Sequence, residues 1–215
     1  MECRLLCRRV LKRFRGRDSR RAVLWIAGHD TGGSIRFPCS ANGITGLKPT
    51  WGRVSRYGVF ALAASLDHIG PMTRSAADAG AMLGAIAGFD ANDPTSLTAS
   101  VPDYLANLDT GIRGLRIGID ASYSETGCDP EIIAAVREAR KVLEHLGAAI
   151  KEVKVPNPEA VMVAWGSCCA VETAIAHDAT YPVRAAEYGG LARCRVRPRR
   201  ERDQPDEVPP RTPCL

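Results

Sequence analysis

The sequence predicts an α/β fold, and three observations carry that expectation. Residues 114–120 (Gly-Leu-Arg-Ile-Gly-Ile-Asp) read as a strand, residues 129–146 as a long helix, and residues 148–155 as a further strand. Strand, helix and strand in that order build an α/β layer. Residues 22–27 (Ala-Val-Leu-Trp-Ile-Ala) form an unbroken apolar run of strand length, which is expected to be buried on both faces. With 45% hydrophobic and 25% charged residues, the 215-residue composition is globular and long enough for one sizeable core.

Taken in order, the apolar run 22–27 ends at Gly28 and delivers the stretch on which the chemistry rests, Gly28-His-Asp-Thr-Gly-Gly-Ser-Ile-Arg-Phe-Pro38. Gly32 and Gly33 let the chain turn sharply and bring backbone N–H groups close to a bound carbonyl. N–H groups at the start of a helix are what a developing oxyanion needs, so Ser34 reads as a nucleophile. Residues 34–41 predict a short helix despite Pro38, because proline is tolerated in a first turn. Residues 43–49 predict a second short strand, with Lys48 in a Lys-Pro turn rather than in a chemical role. Residues 50–66 form a loop whose Trp51, Tyr57 and Phe60 are expected to wall a substrate cleft. Ser75 predicts an N-cap with Asp78 three residues on, and the apolar stripe behind it stops at Gly88. Residues 90–109 read as loop, with a short turn around Tyr104. The long helix is capped by Asp129 with Pro130 at its first position, and residues 158–181 predict a further helical segment. From residue 189 onward an Arg/Pro-rich stretch without apolar period predicts disorder.

The net charge of +5 is unevenly divided. Residues 1–21 hold nine basic residues against two acidic, and residues 191–215 hold seven against four, so the middle is acidic. An acidic body between two basic ends does not argue for direct nucleic-acid binding by the core. No run of about 18 apolar residues and no secretory apolar segment near the start is present, so no membrane association is expected. None of the eight cysteines falls in a CxxC pair, and adjacent Cys168 and Cys169 suit neither a routine disulfide nor a metal site. Free thiols and a cytoplasmic location are expected, with Cys39 and Cys128 as small buried or half-buried side chains. His68 beside Asp67 reads as a hydrogen-bonded structural residue, and His29 has no assigned chemistry.

Four ordered motifs resemble one family. Asp30-Thr-Gly-Gly-Ser-Ile-Arg36, Gly46-Leu-Lys-Pro-Thr50, Gly52-Arg-Val-Ser-Arg-Tyr-Gly58 and Ser65-Leu-Asp-His-Ile-Gly-Pro-Met-Thr-Arg74 are similar to the amidase signature family, which includes amidases and the A subunits of glutamyl-tRNA(Gln) amidotransferases. The resemblance implies part of the amidase signature fold, a mixed β-sheet core flanked by helices on both faces, incomplete in this chain. It implies amide hydrolysis through an acyl-enzyme, with Ser34 as nucleophile and the N–H groups of Thr31, Gly32, Gly33 and Ser34 as the oxyanion hole. Asp30 and Arg36 would hold the loop from behind. It implies a small amide substrate, no cofactor and no metal. The oligomeric arrangement stays open, between a homo-oligomer and a complex with amidotransferase partner subunits that receive ammonia for a tRNA-modifying step.

In that family the nucleophile works with a second serine in an upstream Gly-Ser-Ser-Gly-Gly type loop, and with a lysine further back, which together relay its proton. The matching stretch here reads Cys7-Arg-Arg-Val-Leu-Lys-Arg13, and the only upstream serine and lysine are Ser19 and Lys12, in the wrong setting. The chain is therefore expected to be inactive on its own, as a truncated fragment. The basic start fits a mitochondrial transit peptide, a surface-binding basic helix, or sequence read in the wrong frame; the arginine bias shared by both ends favours the last. The resulting division is an atypical basic segment 1–21, a partial amidase domain 22–188, and a disordered tail 189–215. A non-catalytic fragment remains the alternative to both enzyme readings.

Overall fold

The computed structural model describes residues 25–189, which fall into two compact units, residues 25–105 with 163–189, and residues 106–162. The α/β class is as expected. In the first unit a three-stranded antiparallel sheet has the order β1-β3-β2, with β1 Trp25–Asp30, β2 Thr45–Gly46 and β3 His68–Thr73. Strand β1 continues to Asp30 instead of ending at Gly28, and Ala27 is exposed, so the apolar run is not buried on both faces. The central strand, β3, was not expected as a strand, since Gly70-Pro71 interrupts its pattern and proline cannot donate to a ladder. Pro71 still accepts, taking a 3.0 Å hydrogen bond from the Leu47 N–H just beyond β2. Gly28 of β1 lies opposite Gly70, and Asp30 opposite His68.

Helix α1 (Arg36–Asn42) starts two residues later than expected and ends at Gly43, whose φ of 63° suits a glycine C-cap. Helix α2 (Ala76–Ile86) has the expected cap, the Ser75 hydroxyl accepting from the Asp78 N–H at 3.0 Å. It buries Leu83 against Val54 and Ile69, with Leu47, Ile86 and Tyr104 packed around them. Cys39 is buried, and burial pushes its thiol pKa up. Cys128, by contrast, is exposed, since its turn between two helices has nothing packed over it.

The second unit is a β-α-β arrangement with β4 (Arg116–Ile119) parallel to β5 (Ala149–Glu152). Between them lie the short helix α3 (Ala121–Glu125), capped by Asp120, and helix α4 (Pro130–His145), capped by Asp129. No residue of α4 is buried, and Ile132, Val136 and Val142 on it are more than half exposed.

Helix α5 (Glu159–Ala176) belongs to the first unit from residue 163. With mean hydropathy 1.3 over 18 residues it is long and apolar enough to cross a membrane, although the sequence holds no unbroken apolar run of that length. Its Cys169 and Thr173 are nonetheless buried, four residues apart on one face. The two ends, residues 1–24 and 190–215, lie outside the described residues, and with them the expected basic segment, the disordered tail, Lys12 and Ser19.

Candidate active site

Strand β1 ends by carrying Asp30 into a fully buried position, where an unpaired carboxylate would be costly. Four donors meet it. The N–H of Gly33 donates to Oδ1 at 2.7 Å and that of Ile35 to Oδ2 at 3.2 Å. Arg36 forks onto both oxygens, Nε to Oδ2 at 3.0 Å and Nη2 to Oδ1 at 3.1 Å. Burial pushes the Asp30 pKa up, but the Arg36 hydrogen bonds and the two backbone donors outweigh it and hold the carboxyl below its ordinary 3.8. The same pairing raises the Arg36 pKa. Asp30 thereby folds the loop around itself.

Ile35 fixes which way the loop faces. It is fully buried, and an added Cβ on Gly28, Gly46 or Gly70 would lie 2.8, 3.0 or 3.2 Å from it, so one glycine from each strand makes room for its side chain. With Ile35 pressed into the sheet, the neighbouring Ser34 is left exposed. Gly33 has φ 126°, a region L side chains rarely adopt, and an added Cβ would sit 2.4 Å from the Phe37 ring. The turn therefore depends on that glycine.

The far side of the loop is tied to distant segments. Thr31 Oγ1 donates to Asp67 Oδ1 at 2.5 Å, and Asp67 Oδ2 accepts from the N–H groups of Leu62 and Ala63. His29 Nε2 lies 3.1 Å from Asp67 Oδ2 but off the hydrogen-bonding direction. Thus the histidine beside Asp67 in space is His29, while His68, its neighbour in sequence, points the other way and donates from Nδ1 to the Leu66 carbonyl at 2.7 Å. Burial lowers the His68 pKa, the Leu66 carbonyl opposing it. From helix α5, Trp165 Nε1 donates to the Thr31 carbonyl at 3.1 Å, and Glu172 accepts from both the N–H and the hydroxyl of Ser65.

The structure brings Asp30 and Arg36 together behind the loop, with the Gly33 N–H drawn in beside them. Of the four N–H groups expected to face an oxyanion, that of Gly33 is turned onto Asp30, which takes it out of the donor set, because one N–H cannot serve both. The N–H groups of Thr31, Gly32 and Ser34 meet no acceptor among the described residues. Lys48 donates to the Pro49 carbonyl, as befits a turn lysine. A cavity of about 310 Å³ is lined by His29, Arg56, Tyr57, Asp67 and Asp93 among others. Only Tyr57 of the three aromatics expected as cleft wall reaches it: Trp51 lies under the Arg56 guanidinium, and Phe60 packs on His177. Trp165 and Glu172 were not foreseen, since nothing in their spacing announces partners 134 and 107 residues away.

The profile of the amidase family matches residues 19–205. The A subunit of glutamyl-tRNA(Gln) amidotransferase from Myxococcus xanthus (strain DK1622) is 54% identical over 137 residues, covering 64% of this chain and 28% of that protein. The putative amidase AmiD of Mycobacterium tuberculosis (strain CDC 1551 / Oshkosh) is 50% identical over 169 residues, covering 79% and 35%. Among solved structures, the A subunit of glutamyl-tRNA(Gln) amidotransferase from Thermotoga maritima superposes with a TM-score of 0.67 at 34% identity, over 80% of this chain and 36% of that one. The chain thus spans about a third of the length of these relatives. With the profile matched over most of its residues and the Gly-Gly-Ser loop folded at the end of β1, the chain belongs to the amidase signature family.

Proposed function

We propose that residues 25–189 carry the nucleophile-bearing part of an amide-hydrolysing centre, with Ser34 as the nucleophile. The observation that supports it is the loop itself: Ser34 is exposed beside the uncommitted N–H groups of Gly32 and Ser34, on a turn locked by Asp30 and Ile35. In this reading Ser34 Oγ attacks the amide carbonyl carbon, and the oxyanion forms against those donors and the N–H of Thr31. The C–N bond then breaks, and ammonia or an amine leaves with the proton that the serine gave up. Water attacks the resulting ester, releasing the carboxylic acid and returning a proton to Oγ. Asp30 and Arg36 hold the loop and do not touch the reacting atoms.

Ser34 needs a proton acceptor, and within residues 1–33 the family's Gly-Ser-Ser-Gly-Gly loop and its lysine are not found. Losing the base of a serine-type triad costs about a million-fold, which would take an enzyme of about ten turnovers per second to about one per day. These 215 residues by themselves are therefore expected to show no turnover of propionamide or benzamide above background. Turnover that disappears in Ser34→Ala would overturn the inactivity and keep the nucleophile; turnover that survives it would overturn the role of Ser34.

A second reading is favoured by the 54% identity to an A subunit of the amidotransferase: the ammonia released would pass to partner subunits acting on misacylated tRNA. Co-purification with such subunits distinguishes it from a stand-alone amidase. Free Cys39, Cys128, Cys168 and Cys169 suit a cytoplasmic setting for either.

A further inference from the structure

We infer that Trp165 is a positioning residue that aims the Gly32 N–H at the oxyanion of the proposed amide-hydrolysing centre, an inference that rests on that reading of Ser34. The Thr31 carbonyl and the Gly32 N–H belong to one peptide unit. That unit is planar and trans, so its C=O and N–H point in opposite directions. Whatever fixes the carbonyl fixes the N–H. Trp165 Nε1 holds this carbonyl at 3.1 Å. The next peptide is held independently, its Gly33 N–H drawn onto Asp30 Oδ1. Between the two anchors the Gly32 N–H is left uncommitted and fixed in direction.

Three further observations point the same way. An added Cβ on Gly32 would lie 2.4 Å from Trp165 Cζ2, so the glycine is what allows the indole to reach the backbone. Trp165 remains 40% exposed, so its place is not explained by burial in a core. Further along the same helix, Glu172 holds Ser65 by two hydrogen bonds, which ties α5 to the segment whose Asp67 bonds the Thr31 hydroxyl; Cys169, between Trp165 and Glu172, is buried. A helix far along the chain thus sets the direction of a donor beside the nucleophile.

The test compares the full chain with its Trp165→Phe variant, which keeps a ring against Gly32 and loses the N–H donor. The first readout is backbone NMR. The Gly32 amide resonance is expected to shift, and its order parameter to fall from about 0.85 toward about 0.6, while amides of the β4–β5 unit stay unchanged. The second is phosphonylation of Ser34 by a simple alkyl fluorophosphonate at alkaline pH, where hydroxide takes the serine proton, the Oγ–P bond forms and fluoride leaves. At saturating reagent the rate is expected to fall about tenfold or more, with the half-saturating concentration unchanged, a split that mere loosening of the fold would not give. An unshifted, equally rigid Gly32 amide in Trp165→Phe, or an unchanged limiting rate, overturns the inference. If the wild-type chain phosphonylates no more at Ser34 than Ser34→Ala does anywhere, while Gly32 still responds, the amide-hydrolase reading falls and the control of Gly32 by Trp165 is upheld.

Discussion

A carboxylate with no solvent exposure must be satisfied by the protein, and at Asp30 half of that satisfaction comes from one side chain, Arg36. Arg36→Leu would leave the buried charge with two backbone donors. Breaking such a pair costs about 3–5 kcal/mol, and since Arg36 is itself 54% exposed, the lower end is expected. A urea titration checks it; a loss under about 1 kcal/mol would mean that the pair behaves like an ordinary surface ion pair. The sign of the acid dependence follows from the same contacts. Because the folded Asp30 pKa lies below 3.8, its stabilisation is fully present above that value and is lost as pH falls through the lower folded value. Asp30→Asn should therefore flatten the loss of stability in that acidic window, measured by urea midpoints at a series of pH values. Equal acid slopes in the two proteins would contradict it.

Strand β3 is the element that holds the loop in place, being bonded to β1 on one side and β2 on the other. Its Gly70 faces the Leu47 carbonyl so closely that an added Cβ would lie 2.2 Å from that oxygen and 2.7 Å from Pro49 Cδ. Backbone on one side and a proline ring on the other leave no flexible side chain to yield. Gly70→Ala is expected to cost about 1–3 kcal/mol, and the resulting shift of Ile35 should loosen the Ser34 turn as well. Hydrogen exchange of the β1–β3 amides measures both; protection equal to the wild type would show that the strands can part at no cost. On helix α4 the expectation is reversed, since Ile132 and Val136 are more than half exposed. Replacing both by lysine should leave the urea midpoint within about 0.5 kcal/mol per site and raise the monomeric fraction by size-exclusion chromatography. A stability loss of several kcal/mol would mean that this face is covered in solution.

At the scale of the molecule, the chain matches about a third of a family-length protein and organises into two units, of which the first carries the Gly32-Gly33-Ser34 loop. Much of this was legible from residue order. The strand, helix and strand of residues 116–152 followed from apolar period and the Asp129-Pro130 start, because local pattern and capping act within a few residues of themselves. The Gly32-Gly33-Ser34 turn was legible as a turn for the same reason, since Asp30, Gly33 and Arg36 meet within six residues of chain. The rest depended on contacts between segments far apart in sequence. Strand β3 was hidden by Gly70-Pro71, whose local preference is overridden by two partners in the sheet. His68 is hydrogen-bonded as its place beside Asp67 suggested, but to the Leu66 carbonyl, while pleating brings His29 to Asp67. The sequence by itself determined the family, the fold class and the serine on its glycine turn, since these are written in contiguous residues. Only the tertiary structure decided what holds the far side of that turn, because Thr31 is met by Asp67 across 36 residues of chain and by Trp165 across 134.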